Sequence, residues 1–237
     1  MRPCPALSRC LPWAVCGSAA LTIFGSLGGF GYPWMAWVFK PLTTLLVILF
    51  AALRVGDVPR RRRWVLAGLL LSLVGDVALL WPQAGFVTGL SAFLLAHLCY
   101  IVAFTATARL AAAWGPFAGY ALLAVAVLSP LWPDVPAGLR GPVLAYVVCL
   151  AAMGAQAAAW WRRSEAGAVR REAGVAAVGG ALFLVSDSLL AVNKFAGPLP
   201  GAALWVLSTY WAAQWCIASS LRAGPGVPAT RARVAEA

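Results

Sequence analysis

The sequence predicts an all-α, polytopic membrane bundle of about eight transmembrane helices with both termini cytoplasmic. Three observations carry that expectation. Of 237 residues, 62% are hydrophobic and only 11% charged, with a mean hydropathy of +0.85; soluble domains sit near 45–50% apolar and ~25% charged. The apolar residues gather into runs of about 20, the length that crosses a ~30 Å hydrocarbon core at 1.5 Å per residue. The net charge of +11 falls mostly in alternate short connections, the pattern of cytoplasmic loops. In a soluble chain such a charge would suggest nucleic acid. Here anionic headgroups account for it, membrane lipid is the expected partner, and nucleic acid is not.

Taken in order, the spans read 11–30, 34–53, 64–81, 84–108, 114–132, 141–161, 173–192 and 202–221, forming one transmembrane domain over residues 1–221. The first follows Arg2 and Arg9 but is longer than a signal-peptide core, so it reads as a retained helix. The second contains Lys40-Pro41, where proline frees the carbonyl of Trp37 and kinks the span. Arginines 60–63 then form a basic loop. The third span ends at Pro82, the fourth is closed by Arg109, and the fifth runs into the turn of Pro133, Asp134 and Pro136. Beyond the sixth, the loop at 162–172 holds four arginines and two glutamates. The tail at 222–237 is Gly/Pro/Arg-rich and reads as a disordered cytoplasmic segment. The side opposite the arginine-bearing loops offers only Arg140 and Lys194. A multi-pass protein of the cell membrane is therefore expected. The six cysteines form no CxxC pair and read as apolar filler, with no metal or cofactor expected.

Ionisable groups inside the spans mark the candidate site, because a charge in hydrocarbon is costly and rarely idle. Asp76 lies in the run GLLLSLVGDVALLW, and about 110 residues later the pattern returns around Asp187 in GGALFLVSDSLLAV. Aligned on the aspartates, Gly68 matches Gly179, Leu73-Val74 matches Leu184-Val185, and Gly75 matches Ser186. The topology places both aspartates about five residues from the outer ends of their helices, with Lys40 entering to ~9 Å from the same side. His97 falls near mid-membrane, while Tyr210 and Gln214 lie at outer-to-middle depth on the last span. Gly68, Ser72 and Asp76 recur at i, i+4, i+8; Ser186 and Asn193 are seven residues apart. These spacings predict a polar pocket walled by the second, third, fourth, seventh and eighth spans. Each residue also has a plainer use. Lys40 can form a structural ion pair, His97 can be a packing residue, Tyr210 and Gln214 can join helices, and Asn193 can cap the seventh.

The stretches KPLTTLLVILFAAL, GLLLSLVGDVALL, SAFLLAHLCYIVAF and GALFLVSDSLLAVNKF together resemble the YhhN-like membrane proteins, a family that includes the animal lysoplasmalogenases. The resemblance covers about residues 34–108 and 179–221. It implies hydrolysis of the vinyl ether bond of a lysoplasmalogen or related lysophospholipid, giving a fatty aldehyde and a glycerophospho-alcohol. That reaction begins with protonation of the vinyl β-carbon and passes through an oxocarbenium-like cation. It calls for one protonated carboxyl and one carboxylate, a division of labour parallel to that of glycoside hydrolysis. Asp76 and Asp187 are the candidates, with the acid unassigned between them. Lys40 would tune the pair or face the lipid phosphate. His97, Tyr100, Ser186, Asn193, Tyr210 and Gln214 are candidates for holding water or substrate oxygens.

Two other classes compete. Intramembrane Asp, Lys and His also build proton relays, so a proton-coupled small-molecule or lipid transporter is the alternative. A scaffold is the third reading, and it leaves the buried charges without a purpose.

Overall fold

In a computed structural model, residues 5–27 and 32–222 are described; the tail beyond Arg222 lies outside them. Among the described residues there is no strand. The elements are α1 (Pro5–Ser26), α2 (Pro33–Ala52), α3 (Pro59–Ala78), α4 (Phe86–Thr105), α5 (Trp114–Leu131), a 3-10 turn (Trp132–Asp134), α6 (Ala137–Arg163), α7 (Ala168–Ala191), a π turn (Val192–Ala196) and α8 (Ala202–Ser219). Five stretches are long and apolar enough to cross a membrane: Trp34–Ala52, Phe86–Thr105, Trp114–Asp134, Ala137–Arg163 and Ala168–Ala196. The remaining three helices fall short for identifiable reasons. The apolar part of α1, Cys10–Ser26, is brief; α3 carries the arginine run; α8 is diluted by Ser208, Thr209, Tyr210 and Gln214. All eight nonetheless contribute to one bundle, and the chain is a multi-pass membrane protein.

Helix starts follow proline chemistry. Pro33 and Pro59 open α2 and α3, where the missing N–H costs nothing and φ is already set. Pro41, Pro130 and Pro142 lie inside helices, and α2 runs through Pro41 without interruption. Several helices extend past the expected bilayer edges. Arginines 60–63 belong to the first turns of α3 rather than to a loop, and Arg170, Arg171 and Glu172 lie within α7. A helix satisfies its own backbone, so its ends need not coincide with the end of the hydrocarbon. One consequence is that α3 stops at Ala78, which puts Asp76 in its last turn.

Consecutive helices alternate in direction, and α3 with α4, α7 with α8, α6 with α7, and α4 with α6 form the main packed pairs. The α5 helix rests mainly on α6, at the periphery. Glycines allow the closest approaches: Gly68 faces the Tyr100 ring, Gly75 faces Phe93, and Gly180 meets Gly154. The arginine end is tied by buried Arg61, which pairs with Asp57 and Glu172, donates to the carbonyl of Ser220 at 2.7 Å, and lies over the Trp160 ring. Arg54 adds bonds to the carbonyls of Ser219 and Leu221. The ends of α2, α3, α7 and α8 are thereby bound together at the face opposite the aspartates.

Candidate active site

Lys40 and Thr44 are four residues apart on α2 and so share one face, turned toward the end of α3. Both reach Asp76. Thr44 Oγ1 donates to Asp76 Oδ2 at 2.6 Å, and Lys40 Nζ stands 3.7 Å from Asp76 Oδ1. Tyr210 of α8 donates its hydroxyl to the same Oδ2 at 2.7 Å. Asp76 is only 1% exposed. A charge so buried is tolerable where a cation and hydrogen-bond donors replace water.

Behind Tyr210 the donors continue in one direction. Gln214 Nε2 donates to the Tyr210 hydroxyl at 3.2 Å, and the Tyr100 hydroxyl donates to Gln214 Oε1 at 2.8 Å. Trp211 Nε1 donates to Thr44 Oγ1 at 3.3 Å. The chain Tyr100, Gln214, Tyr210 thus aims successive dipoles at the Asp76 carboxylate, each bond reinforcing the next.

Asp187 lies in a different setting. Its Oδ2 accepts from the Tyr146 hydroxyl of α6 at 2.6 Å. Among the described residues it makes no ion pair, and no hydrogen bond joins it to Asp76. The two aspartates nevertheless line one cavity of about 380 Å³, within the ~300–1,000 Å³ range of ligand pockets. Its walls are mostly apolar, including Phe86, Leu90, Phe93, Leu128, Val147 and Leu207, and its polar groups include Lys40, Tyr146, Tyr210 and Lys194.

The expected residues separate into two sets. Lys40, Asp76, Ser186, Asp187, Asn193 and Tyr210 line the cavity, whereas His97, Tyr100 and Gln214 stand behind its wall. His97 is fully buried, and its ring packs edge-on against Phe183 and Tyr146 at 5.0 and 5.4 Å between centroids. Neither ring nitrogen bonds to the protein among the described residues, so its visible contribution is packing. Ser186 Oγ donates to the Val206 carbonyl at 3.1 Å, fastening α7 to α8. Asn193 Oδ1 accepts from Leu199 N at 2.9 Å and holds the loop before α8.

The walls also differ from the expected five helices. Ala124, Val127, Leu128 and Leu131 of α5, and Val143, Tyr146, Val147 and Leu150 of α6, face the same cavity. Sequence reasoning passed over Tyr146 and Thr44, and read Lys194 only as an outer-side cation rather than as a cavity residue. Tyr146 had one available signal, a hydroxyl in a largely apolar span; Thr44 had its i+4 spacing from Lys40.

Fold and site together define a polytopic helical membrane protein with two carboxylates facing a largely apolar cavity. The chain belongs to the YhhN family, whose family model matches residues 35–221. It is 36% identical over 198 residues to lysoplasmalogenase TMEM86B of Sus scrofa, covering 81% of this chain and 77% of that protein. Similarity to the lysoplasmalogenase of Mycobacterium bovis is 35% over 192 residues, covering 78% and 70%. Human lysoplasmalogenase TMEM86B is 38% identical over 169 residues, covering 68% and 64%. These curated relatives are enzymes. No solved structure matches the chain.

Proposed function

We propose that this protein hydrolyses the vinyl ether bond of a lysoplasmalogen in the cell membrane, releasing a fatty aldehyde and a glycerophospho-alcohol. The observation that carries the proposal is the pair of unlike carboxylates on one apolar cavity. Asp76 accepts two hydroxyl donors beside the Lys40 cation, an arrangement suited to a standing anion. Asp187 has a single donor, Tyr146, on Oδ2, which leaves Oδ1 to carry a proton toward the cavity.

In this scheme Asp187 delivers its proton to the β-carbon of the vinyl ether. The double-bond electrons form the new C–H bond, and the positive charge spreads over the α-carbon and ether oxygen. Asp76 stabilises that cation electrostatically, as carboxylates do for oxocarbenium ions. Water then adds to the α-carbon and passes a proton to Asp76, giving a hemiacetal. The hemiacetal collapses by returning its hydroxyl proton to Asp187 while the departing glycerol oxygen takes the proton from Asp76. Both aspartates end as they began. The apolar wall holds the alkenyl chain, and Tyr146 fixes which oxygen of Asp187 faces the substrate.

The test is aldehyde release from a lysoplasmalogen by purified protein, followed by mass spectrometry. Asp76→Asn and Asp187→Asn should each lower kcat per folded molecule by at least about a hundredfold, the scale of general acid–base loss. Wild-type-like release from both variants would overturn the scheme. Uptake of the lipid into sealed proteoliposomes with no product formed would instead favour the proton-coupled transporter.

A further inference from the structure

Two lysines line the cavity, and they are not equivalent. Lys40 is engaged with Asp76 at 3.7 Å. Lys194 makes no ion pair among the described residues; its ammonium lies over the Phe86 ring, 4.8 Å from the centroid, and its side chain is exposed. It sits on the π turn Val192–Ala196 that extends α7, a widened turn of the kind found at functional sites. The location is also unusual for a cation. Outer loops of membrane proteins are depleted in lysine and arginine, and the other one on this side, Arg140, is occupied by the Val135 carbonyl and the Trp132 ring. Nearby, Ala202 and Ala203 at the start of α8 line the same cavity.

From these observations we infer that Lys194 forms the subsite for the phosphodiester of the substrate, so that the enzyme selects phosphate-bearing lysolipids over neutral alkenylglycerols. The inference rests on the hydrolase reading given above. The dimensions agree with it. Seven residues separate Asp187 from Lys194, about 10 Å along a helix at 1.5 Å per residue. In a lysoplasmalogen, seven bonds separate the vinyl β-carbon from phosphorus, which is about 9 Å when extended with bonds near 1.5 Å. A phosphate at Lys194 therefore puts the scissile end level with Asp187 and leaves the alkenyl chain for the apolar wall. Phe86 holds the ammonium at the cavity edge by a cation–π contact.

The experiment has a binding arm and a kinetic arm. Binding of a 1-O-alkyl lysophosphocholine, which lacks the vinyl bond, is compared with that of the matching 1-O-alkylglycerol by tryptophan fluorescence in detergent at fixed mole fraction. Lys194→Gln should weaken the phosphate-bearing lipid about tenfold relative to the neutral one, the scale of a charge-assisted bond, and Lys194→Arg should restore it. Inorganic phosphate should compete only weakly, which separates a lipid headgroup subsite from a free-phosphate site. In kinetics, the loss for Lys194→Gln should appear in KM rather than kcat. An unchanged phosphate-to-neutral ratio in either arm, or equal losses on both lipids, overturns the subsite. Absence of aldehyde from wild-type protein alongside the expected binding ratio would overturn the hydrolase reading and leave the subsite standing.

Discussion

Tyr146 and Tyr210 each present a hydroxyl to one aspartate, yet their removal should not have equal effects. Tyr146 is the donor to Asp187, so Tyr146→Phe frees the carboxyl to rotate and misdirects its proton. A loss of about tenfold in kcat with little change in KM is expected, matching one lost hydrogen bond to a reacting group. Steady-state kinetics on a lysoplasmalogen checks this, and an unchanged kcat would remove the tyrosine from the scheme. Tyr210 shares Asp76 with Thr44 and Lys40, so Tyr210→Phe leaves two partners in place and should cost less than Lys40→Met. The latter strands an anion in a site that is 1% exposed, and such a group is strongly destabilised when its cation is removed. Lys40→Met should therefore lower both activity and thermal stability. At this scale the sequence made the aspartates, Lys40 and Tyr210 visible, because an ionisable or hydroxyl group in an apolar run stands out. Tyr146 stayed hidden because no charged group stands within the apolar stretch of helix six, and another polar side chain there, Gln156, bonds the 108–111 backbone instead.

At the level of elements, the glycine seam between α3 and α4 sets the site's position. A side chain at Gly68 would collide with the Tyr100 ring, and one at Gly75 would strike Phe93 at 2.5 Å. Tyr100 bonds Gln214, and Phe93 packs edge-on against Tyr210, so either collision is passed to the Asp76 cluster. Gly68→Val is expected to lower the thermal midpoint by several degrees in detergent, in line with overpacking costs of about 1–3 kcal/mol, and to reduce kcat as well. Gly119 on α5 has open space around its Cβ position, so Gly119→Ala should leave kcat unchanged and should not lower the thermal midpoint. Thermal unfolding followed beside aldehyde release separates the two outcomes. The period of small residues on the third span was readable from sequence; that it faces α4 rather than another neighbour was not, since a helical stripe does not name its partner.

Across the whole molecule, the two ends of the bundle do different things. The arginine end is a closed knot of Arg61, Asp57, Glu172 and Arg222, with backbone carbonyls of Ser219, Ser220 and Leu221 bound by Arg54 and Arg61. The opposite end opens the cavity between α2, α3, α4, α5, α6, α7 and α8. Arg61→Leu leaves Asp57 and Glu172 without their shared cation, and breaking such a buried pair costs about 3–5 kcal/mol. A clear fall in thermal midpoint is expected, with kcat per folded molecule little changed because the site lies at the far end. Equal fractional losses in folded protein and in kcat per folded molecule would contradict that separation. Orientation is testable as well. In a cysteine-free background, Lys194→Cys should react with a membrane-impermeant maleimide from outside intact cells, and Glu165→Cys only after permeabilisation.

The sequence by itself determined that this chain is a helical membrane protein and which polar groups interrupt its apolar runs. Hydropathy and loop charge depend on local composition, and so survive in one dimension. It also predicts matching depth for Asp76 and Asp187, because rise per residue converts position into height. Azimuth is another matter. Whether a residue faces the cavity or the wall behind it depends on how far each helix is rotated and which neighbour it meets, and that is set by side-chain packing across residues more than a hundred positions apart. Only the tertiary structure therefore moved His97, Tyr100 and Gln214 behind the wall, and brought Tyr146 and Lys194 to the cavity. It also gave the two aspartates separate partners: a cation and two hydroxyls for Asp76, a single tyrosine for Asp187.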